Sequence, residues 1–176
     1  MKSEEERAKM QDTMSYENYD EQYPYVFAEV VKAIQAVLPS IHVEHVGSTA
    51  IPGLGGRRVL DLVIVAEQGR HNEIESQLLR IGFVKSPFTH FLPMLTISIH
   101  FQDKDYPILL YILPEDHEIY QGWIAFRTYM QQHPEEVQNY ADVKRRAIAE
   151  DKTDAGSYQQ AKTPYLESLV KRMRAK

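Results

Sequence analysis

Residues 44–65 read EHVGSTAIPGLGGRRVLDLVIV, and this stretch decides the predicted fold. A strand-like segment ends at Val46, breaks at Gly47, and the chain then passes through further turns into the apolar segment 58–65. That segment is apolar on nearly both faces, which is typical of a central strand in a sheet. One acid, Asp61, lies within it. A carboxylate in such a place needs an ion pair, hydrogen bonds or a metal ion.

The sequence around this stretch predicts an α+β protein, because helical and alternating apolar patterns both occur. Strands are predicted over residues 41–46, 58–65, 83–88, 95–102 and 108–113, with a turn over 103–107, and helices over 21–38, 71–81, 116–131, 135–149 and 155–174. We expect a mixed sheet with helices on one side over about residues 17–114, and a C-terminal helical subdomain over about 115–176. Residues 1–16 are polar and are predicted to form a flexible N-terminus.

Length and composition limit the classes of protein to consider. A chain of 176 residues suits one domain, and its net charge of -5 argues against general nucleic-acid binding, which needs a basic face. Two or three cations would still suffice for a small phosphorylated ligand. There are no cysteines, so disulfides and thiolate chemistry are excluded. The N-terminus has no apolar segment of the signal-peptide kind, and no apolar run is long enough to span a membrane, so we expect a cytoplasmic protein.

Four separated motifs, in the same order along the chain, carry a resemblance to a known family. They are EHVGSTAIPGLGGRRVLDLVIV (44–65), YDEQYPYVFAEV (19–30), WIAFRTYMQQHPEEVQNYADVKR (123–145) and YQQAKTPYLESLV (158–170). The chain resembles the GrpB-like proteins, a group in the nucleotidyltransferase superfamily, over about residues 18–172. This resemblance implies the fold of the polymerase-beta-like nucleotidyltransferases, which transfer a nucleoside monophosphate from a triphosphate to an acceptor.

The resemblance also implies roles for particular residues. In active enzymes of the superfamily a Gly-Ser turn holds the phosphates, and acids on neighbouring strands bind two magnesium ions. Gly47 and Ser48 match the turn, and Asp61 matches the first acid. Active members usually carry Asp-x-Asp or Asp-x-Glu, since residues i and i+2 share one face of a strand. Val63 occupies the second position here, as is common among GrpB-like proteins, and this departure counts against two-metal chemistry.

The predicted site therefore combines acids, cations and a turn. We expect Mg²⁺ as the cofactor, and the members of the site are Asp61 and Glu44 as metal ligands and catalytic acids, His100 as a third catalytic residue, and Gly47, Ser48, Thr49, Arg57, Arg127 and Lys144 as phosphate-binding residues. Two or more cations near a triphosphate would neutralise its charge. Lys162, on the last helix, also matches the family, but a salt bridge on the helix surface explains it as well.

Several of these residues have a structural alternative that the sequence leaves open. Asp61 could form an ion pair with Arg57 or Arg58, and Glu44 could pair with Arg127 rather than join Asp61. His100 lies on the polar face of the strand at 95–102 and contributes only if that face lines the Asp61 cleft. The aromatic residues Trp123, Phe126, Tyr129 and Tyr140 have helical spacing and are predicted to pack in a core rather than to stack on a base.

Two functions from different classes are compatible with these residues. The first is magnesium-assisted nucleotidyl transfer, by in-line attack on an α-phosphate, to an unknown acceptor. The alternative is a catalytically inactive module that binds a nucleotide or phosphorylated metabolite. Resemblance to an extra domain fused to dephospho-coenzyme A kinase in some bacteria suggests coenzyme A metabolism as the context of that alternative.

Overall fold

A computed structural model describes residues 15–87 and 92–174 of the chain. In this part the strands form one sheet in the order β1-β2-β5-β4-β3. The strands are β1 (His42–Val46), β2 (Leu60–Val65), β3 (Val84–Lys85), β4 (Leu95–Phe101) and β5 (Lys104–Leu113), and the helices are α1 (Tyr23–Val37), α2 (His71–Arg80), α3 (Glu118–Gln132), α4 (Pro134–Ala149) and α5 (Ala155–Arg174). The α+β prediction is confirmed.

The sheet is mixed because β2 runs antiparallel to β1 and parallel to β5. The remaining neighbours, β5 with β4 and β4 with β3, are antiparallel. As predicted, β2 is an internal strand with a partner on each side. Its register matters for the site, because Asp61 lies opposite Val46 on β1 and opposite Leu109 on β5.

Helices α1 and α2 cover one face of the sheet. Their apolar residues recur at helical spacing, and the buried ones are Tyr23, Val26, Val30, Ile34, Ile74 and Leu78. They pack in one core with Leu60, Leu62 and Ile64 of β2. These alternate residues share one face of the strand, so Asp61 and Val63 belong to the opposite face.

The C-terminal helices reach that opposite face. Tyr120 of α3 packs in a cluster with Val46, Val63 and Leu113, and Trp123 packs against the same cluster. A separate core joins the helices to one another and includes two residues from the segment after Ser48, namely Ile51 and Leu54. That segment therefore fastens the sheet to the helical part. Trp123, Phe126, Tyr129 and Tyr140 all pack in these clusters.

The structure differs from the sequence interpretation at the predicted turn 103–107. Strand β5 already begins at Lys104, which pairs with Phe101, and Gln102 adopts a positive φ of 56° in the tight connection. The first residues of β5 are exposed and polar, so burial imposes no alternating pattern that would reveal a strand. Of the segment 1–16, which was predicted to be flexible, residues 1–14 lie outside the described residues. None of the described helices is long and apolar enough to cross a membrane.

Candidate functional site

The end of β1 and the start of β2 bring the Gly47 turn against Asp61. Val46, the last residue of β1, is the cross-strand partner of Asp61, and Gly47 follows with φ 71°. A Cβ atom on Gly47 would collide with Oδ2 of Asp61. The chain then forms a short 3-10 turn over Ser48–Ala50. The carboxylate therefore lies directly beside the backbone of the turn, as the sequence predicted.

Asp61 occupies a largely desolvated position. The residue as a whole is half-buried, and burial among protein atoms raises its pKa to about 6 against the opposing effect of Arg57 and Lys162. Burial raises the pKa of the Tyr111 hydroxyl on β5, and the charge of Asp61 raises it further. Near neutral pH the Asp61 carboxyl is thus close to its titration range, and nearby cations favour its charged form.

Lys144 of α4 reaches the other side of the Ser48 turn. The residue is only 2% exposed, and its Nζ lies 3.2 Å from Ser48 Oγ, donates to the Gly55 carbonyl oxygen and lies 4.8 Å from the centroid of the Tyr140 ring. Burial and the charges of Lys162, Arg145 and Arg57 lower the pKa of Lys144 to about 7. An amine in this position is a good donor and also a group that loses its proton near neutral pH.

Lys162 of α5 adds a second amine, on a half-buried residue. Its Nζ lies 4.5 Å from the centroid of the Tyr158 ring. Burial and the charge of Arg57 lower the pKa of Lys162 to about 8, although Asp61 opposes this shift. Arg57 itself is exposed at the surface of the loop. These electrostatic couplings place Arg57, Asp61, Lys144 and Lys162 in one neighbourhood, which we call the Ser48 cluster together with Gly47 and Ser48.

Glu44 and Arg127 form the ion pair that the sequence left open as an alternative. Arg127 of α3 donates to Glu44 Oε2 at 2.8 Å and to the carbonyl oxygen of His45 at 2.5 Å. Although burial acts to raise it, hydrogen bonds from Arg127 and His42 hold the pKa of Glu44 below its ordinary value. Glu44 lies opposite Val63, which is two residues after Asp61 on β2. The roles predicted for Glu44 as a metal ligand and for Arg127 as a phosphate contact thus give way to a mutual pair.

The side chain of Thr49 is not available to a phosphate. The residue is 3% exposed, and its hydroxyl donates to the carbonyl oxygen of Val59 and accepts from His45 Nε2 at 2.9 Å. This arrangement requires the Nε2–H form of His45, whose ring stacks on Phe27 at 5.0 Å between centroids. Burial and the charge of Arg127 lower the pKa of His45 to about 4, so His45 is neutral at pH 7. Thr49 therefore supports the turn from inside.

The structure separates His100 from Asp61. Both residues lie on the same face, but His100 is two strands away and four residues beyond the level of Asp61. At about 4.8 Å between strands and about 3.3 Å per residue, the separation is on the order of 15 Å. The side chain of His100 is 68% exposed and its Nδ1 lies 2.9 Å from Asp105. The structure therefore does not support the catalytic role predicted for His100, because this face of β4 is exposed to solvent near the hairpin.

Comparison with known proteins identifies the family. Residues 13–172 match the GrpB protein family. The chain belongs to the GrpB family. A UPF0157 protein of Halalkalibacterium halodurans is 27% identical over 165 residues, which cover 89% of this chain and 80% of that protein.

Solved structures show the same fold. A conserved GrpB protein from Enterococcus faecalis superimposes with a TM-score of 0.72 at 18% identity, over 90% of this chain and 96% of that one. A cytoplasmic RNA terminal U-transferase gives a TM-score of 0.52 at 12% identity, over 81% of this chain and 45% of the enzyme. At these identities the likeness concerns the fold alone, and it confirms the predicted nucleotidyltransferase-like architecture of this GrpB family member.

The residues around Asp61 do not form the acidic set that two metal ions require. On the same face of β2 the next position is Val63, and the neighbouring positions of β5 are Leu109 and Tyr111. Glu44 is occupied by Arg127. Among the described residues, no group of three or more histidine and carboxylate side chains could hold a metal ion. The donor set of this GrpB family member therefore does not fit a two-metal centre.

Lys162 is the functional candidate that sequence reasoning undervalued. We expected a helix-surface salt bridge, but the amine lies over Tyr158 and within electrostatic reach of Arg57 and Asp61. Its match to a family position was the available signal. The spacing of α5 alone could not show that this side chain points towards β2.

Proposed function

We propose that the Ser48 cluster binds a phosphorylated small molecule, with a nucleotide as the favoured ligand. The observation that carries this proposal is that three cations meet at the Gly47–Ser48 turn. Lys144 Nζ lies 3.2 Å from Ser48 Oγ, and Arg57 and Lys162 act on Asp61, whose carboxylate lies against Gly47. Positive charge on the buried Lys144 and the half-buried Lys162 is unfavourable in the free protein. A phosphate would neutralise it.

The chemistry of the groups suits a phosphate better than a metal. Lysine ammonium groups and the Ser48 hydroxyl donate hydrogen bonds to phosphate oxygens, and such charge-assisted bonds are the strong ones. Binding of an anion would raise the pKa of both lysines, because the ligand favours their charged forms. The proposal therefore includes proton uptake by the cluster when the ligand binds near pH 8.

A binding role without two-metal catalysis agrees best with this geometry. The sequence favoured magnesium-assisted nucleotidyl transfer, and we retain transfer as a second candidate for two reasons. The fold resembles that of a terminal U-transferase, and the sequence resemblance matches Asp61 to the first acid of the active enzymes. Turnover of a labelled nucleoside triphosphate by the wild-type protein, compared with Asp61→Asn, separates transfer from binding. Turnover that needs Mg²⁺ and Asp61 would support transfer.

Titration calorimetry tests the binding proposal directly. Nucleoside triphosphates, inorganic tripolyphosphate and dephospho-coenzyme A are titrated with and without Mg²⁺, the last because of the suggested link to coenzyme A metabolism. Losing one charge-assisted hydrogen bond costs about 1.5–3 kcal/mol, so Lys162→Met should weaken binding roughly ten- to a hundred-fold.

Lys171→Met is the matched control, because Lys171 is an exposed lysine of the same helix. It should bind like the wild-type protein. The proposal fails if no phosphorylated compound binds, or if Lys162→Met and Lys171→Met behave alike. A cytoplasmic location, expected from the sequence, belongs with this proposal.

A further inference from the structure

Ser48 and Lys144 form a pair whose geometry allows more than ligand binding. Nζ of Lys144 lies 3.2 Å from Oγ of Ser48, and the amine is buried whereas the serine keeps partial exposure. A Cβ on Gly56 would lie 3.2 Å from Nζ and 3.6 Å from Oγ, so the glycine leaves room beside the pair. The serine is thus the more exposed member of the pair.

Burial and the neighbouring cations favour the uncharged form of Lys144. The contacts of Nζ are the Gly55 carbonyl oxygen, the Ser48 hydroxyl and the face of Tyr140. The charged side chains that act on it are all cations, namely Lys162, Arg145 and Arg57. A neutral amine can donate one N–H to the Gly55 oxygen and direct its lone pair at the Ser48 hydroxyl.

We propose that Ser48 is a nucleophile and Lys144 its general base, and that the pair accepts an acyl group from a small acyl phosphate. Serine–lysine pairs of this kind are an established alternative to serine–histidine catalysis on unrelated folds. The choice of an acyl phosphate rests on the proposed anion binding, since Arg57 and Lys162 would hold the phosphate. The nucleophile itself does not depend on that binding.

The chemical step balances without a metal or a redox partner. Oγ of Ser48 attacks the carbonyl carbon while its proton passes to Nζ of Lys144. The bond between the carbonyl carbon and the bridging oxygen of the phosphate breaks. Lys144 returns the proton to the departing phosphate, which leaves as hydrogen phosphate. The products are an ester on Ser48, inorganic phosphate and neutral Lys144. Water can later hydrolyse the ester.

Acetyl phosphate tests the proposal by intact-protein mass spectrometry. The wild-type protein should gain one acetyl group that hydroxylamine removes, because hydroxylamine cleaves esters but leaves acetylated lysines intact. Ser48→Ala should not gain the hydroxylamine-sensitive acetyl group, and Lys144→Met should gain it at least tenfold more slowly. Ser98→Ala, which removes an exposed serine of β4, is the matched control and should behave like the wild-type protein.

The pH dependence in the wild-type protein gives a second measurement that does not depend on the folding of a variant. Acylation by the neutral p-nitrophenyl acetate should accelerate as pH rises through about 7, where Lys144 becomes neutral. Acylation by acetyl phosphate should accelerate at a higher pH, because the bound anion raises the pKa of Lys144. A rate that is independent of pH across this range would overturn the role of Lys144. Thermal melting of each variant, monitored by circular dichroism, tests whether slow acylation reflects unfolding.

A neutral ester separates this inference from the proposed function. If p-nitrophenyl acetate acylates Ser48 in a Lys144-dependent way but acetyl phosphate does not, the pair is nucleophilic and the anion binding fails. If phosphates bind in calorimetry but neither reagent forms a hydroxylamine-sensitive ester on Ser48, the nucleophile is overturned and the binding function stands.

Discussion

At the scale of single residues, Gly47 determines how closely the Ser48 turn approaches Asp61. Its φ of 71° is unfavourable for residues with a side chain, and the space that a Cβ would need is occupied by the Asp61 carboxylate. Thr49 and His45 complete the turn from within through their hydrogen bond. The functional groups of this turn thus depend on residues that do not themselves contact a ligand.

We expect Gly47→Ala to reduce the free energy of unfolding by at least about 2 kcal/mol, because backbone strain at a positive φ adds to a steric collision. Urea denaturation measures the effect. Gly122→Ala is the matched control, since a Cβ at Gly122 in α3 meets nothing within 4 Å. This control should stabilise the protein by about 0.5–1 kcal/mol. Equal effects of the two substitutions would contradict the packing described for Gly47.

At the scale of secondary-structure elements, ion pairs and helices place the groups of the site. Helix α4 delivers Lys144 to the Ser48 turn, and α5 delivers Lys162 to the neighbourhood of Asp61 at the start of β2. Helix α3 is fastened to β1 by Arg127, whose guanidinium binds the Glu44 carboxylate and a backbone carbonyl oxygen. The two side chains are 21% and 22% exposed, so the pair is partly protected from solvent.

Arg127→Met should lower the free energy of unfolding by about 2–3 kcal/mol, since it leaves a partly buried carboxylate and a carbonyl oxygen without their donor. Chemical denaturation provides the measurement. Glu150→Gln, in the exposed pair with Lys152, is the control and should change stability by less than about 1 kcal/mol. The importance of the α3–β1 link would be refuted if Arg127→Met were as mild as this control.

At the scale of the whole molecule, the segment after Ser48 makes the sheet and the C-terminal helices into one unit. Ile51 and Leu54 are fully buried and share a core with Met130, Tyr140 and Leu169. At residue 56 the same loop pairs with Glu17 near the start of the described chain. The site lies at this junction, so its geometry requires both parts to be folded.

This arrangement predicts a single cooperative unfolding transition. The one tryptophan, Trp123, reports on the contact of α3 with the sheet, and circular dichroism reports on all helices. The two signals should coincide. Leu54→Ala should lower the free energy of unfolding reported by both signals by about 2–5 kcal/mol. Leu79→Ala, at an exposed position of α2, should change this free energy little. Two separate transitions would show that the helical part folds independently.

The sequence by itself determined the order of the elements, the family and the meeting of Gly47, Ser48 and Asp61. These features depend on apolar periodicity and on residues close together along the chain, where β1 leads into the turn and β2 follows. Only the tertiary structure decided the approach of Lys162 to Arg57 and Asp61, the pairing of Glu44 with Arg127 and the distance of His100 from Asp61. Each depends on which helix packs on which face of the sheet and on the register of the strands. The sequence pattern does not reveal this, because a long charged side chain at a given position can reach either solvent or a neighbouring residue.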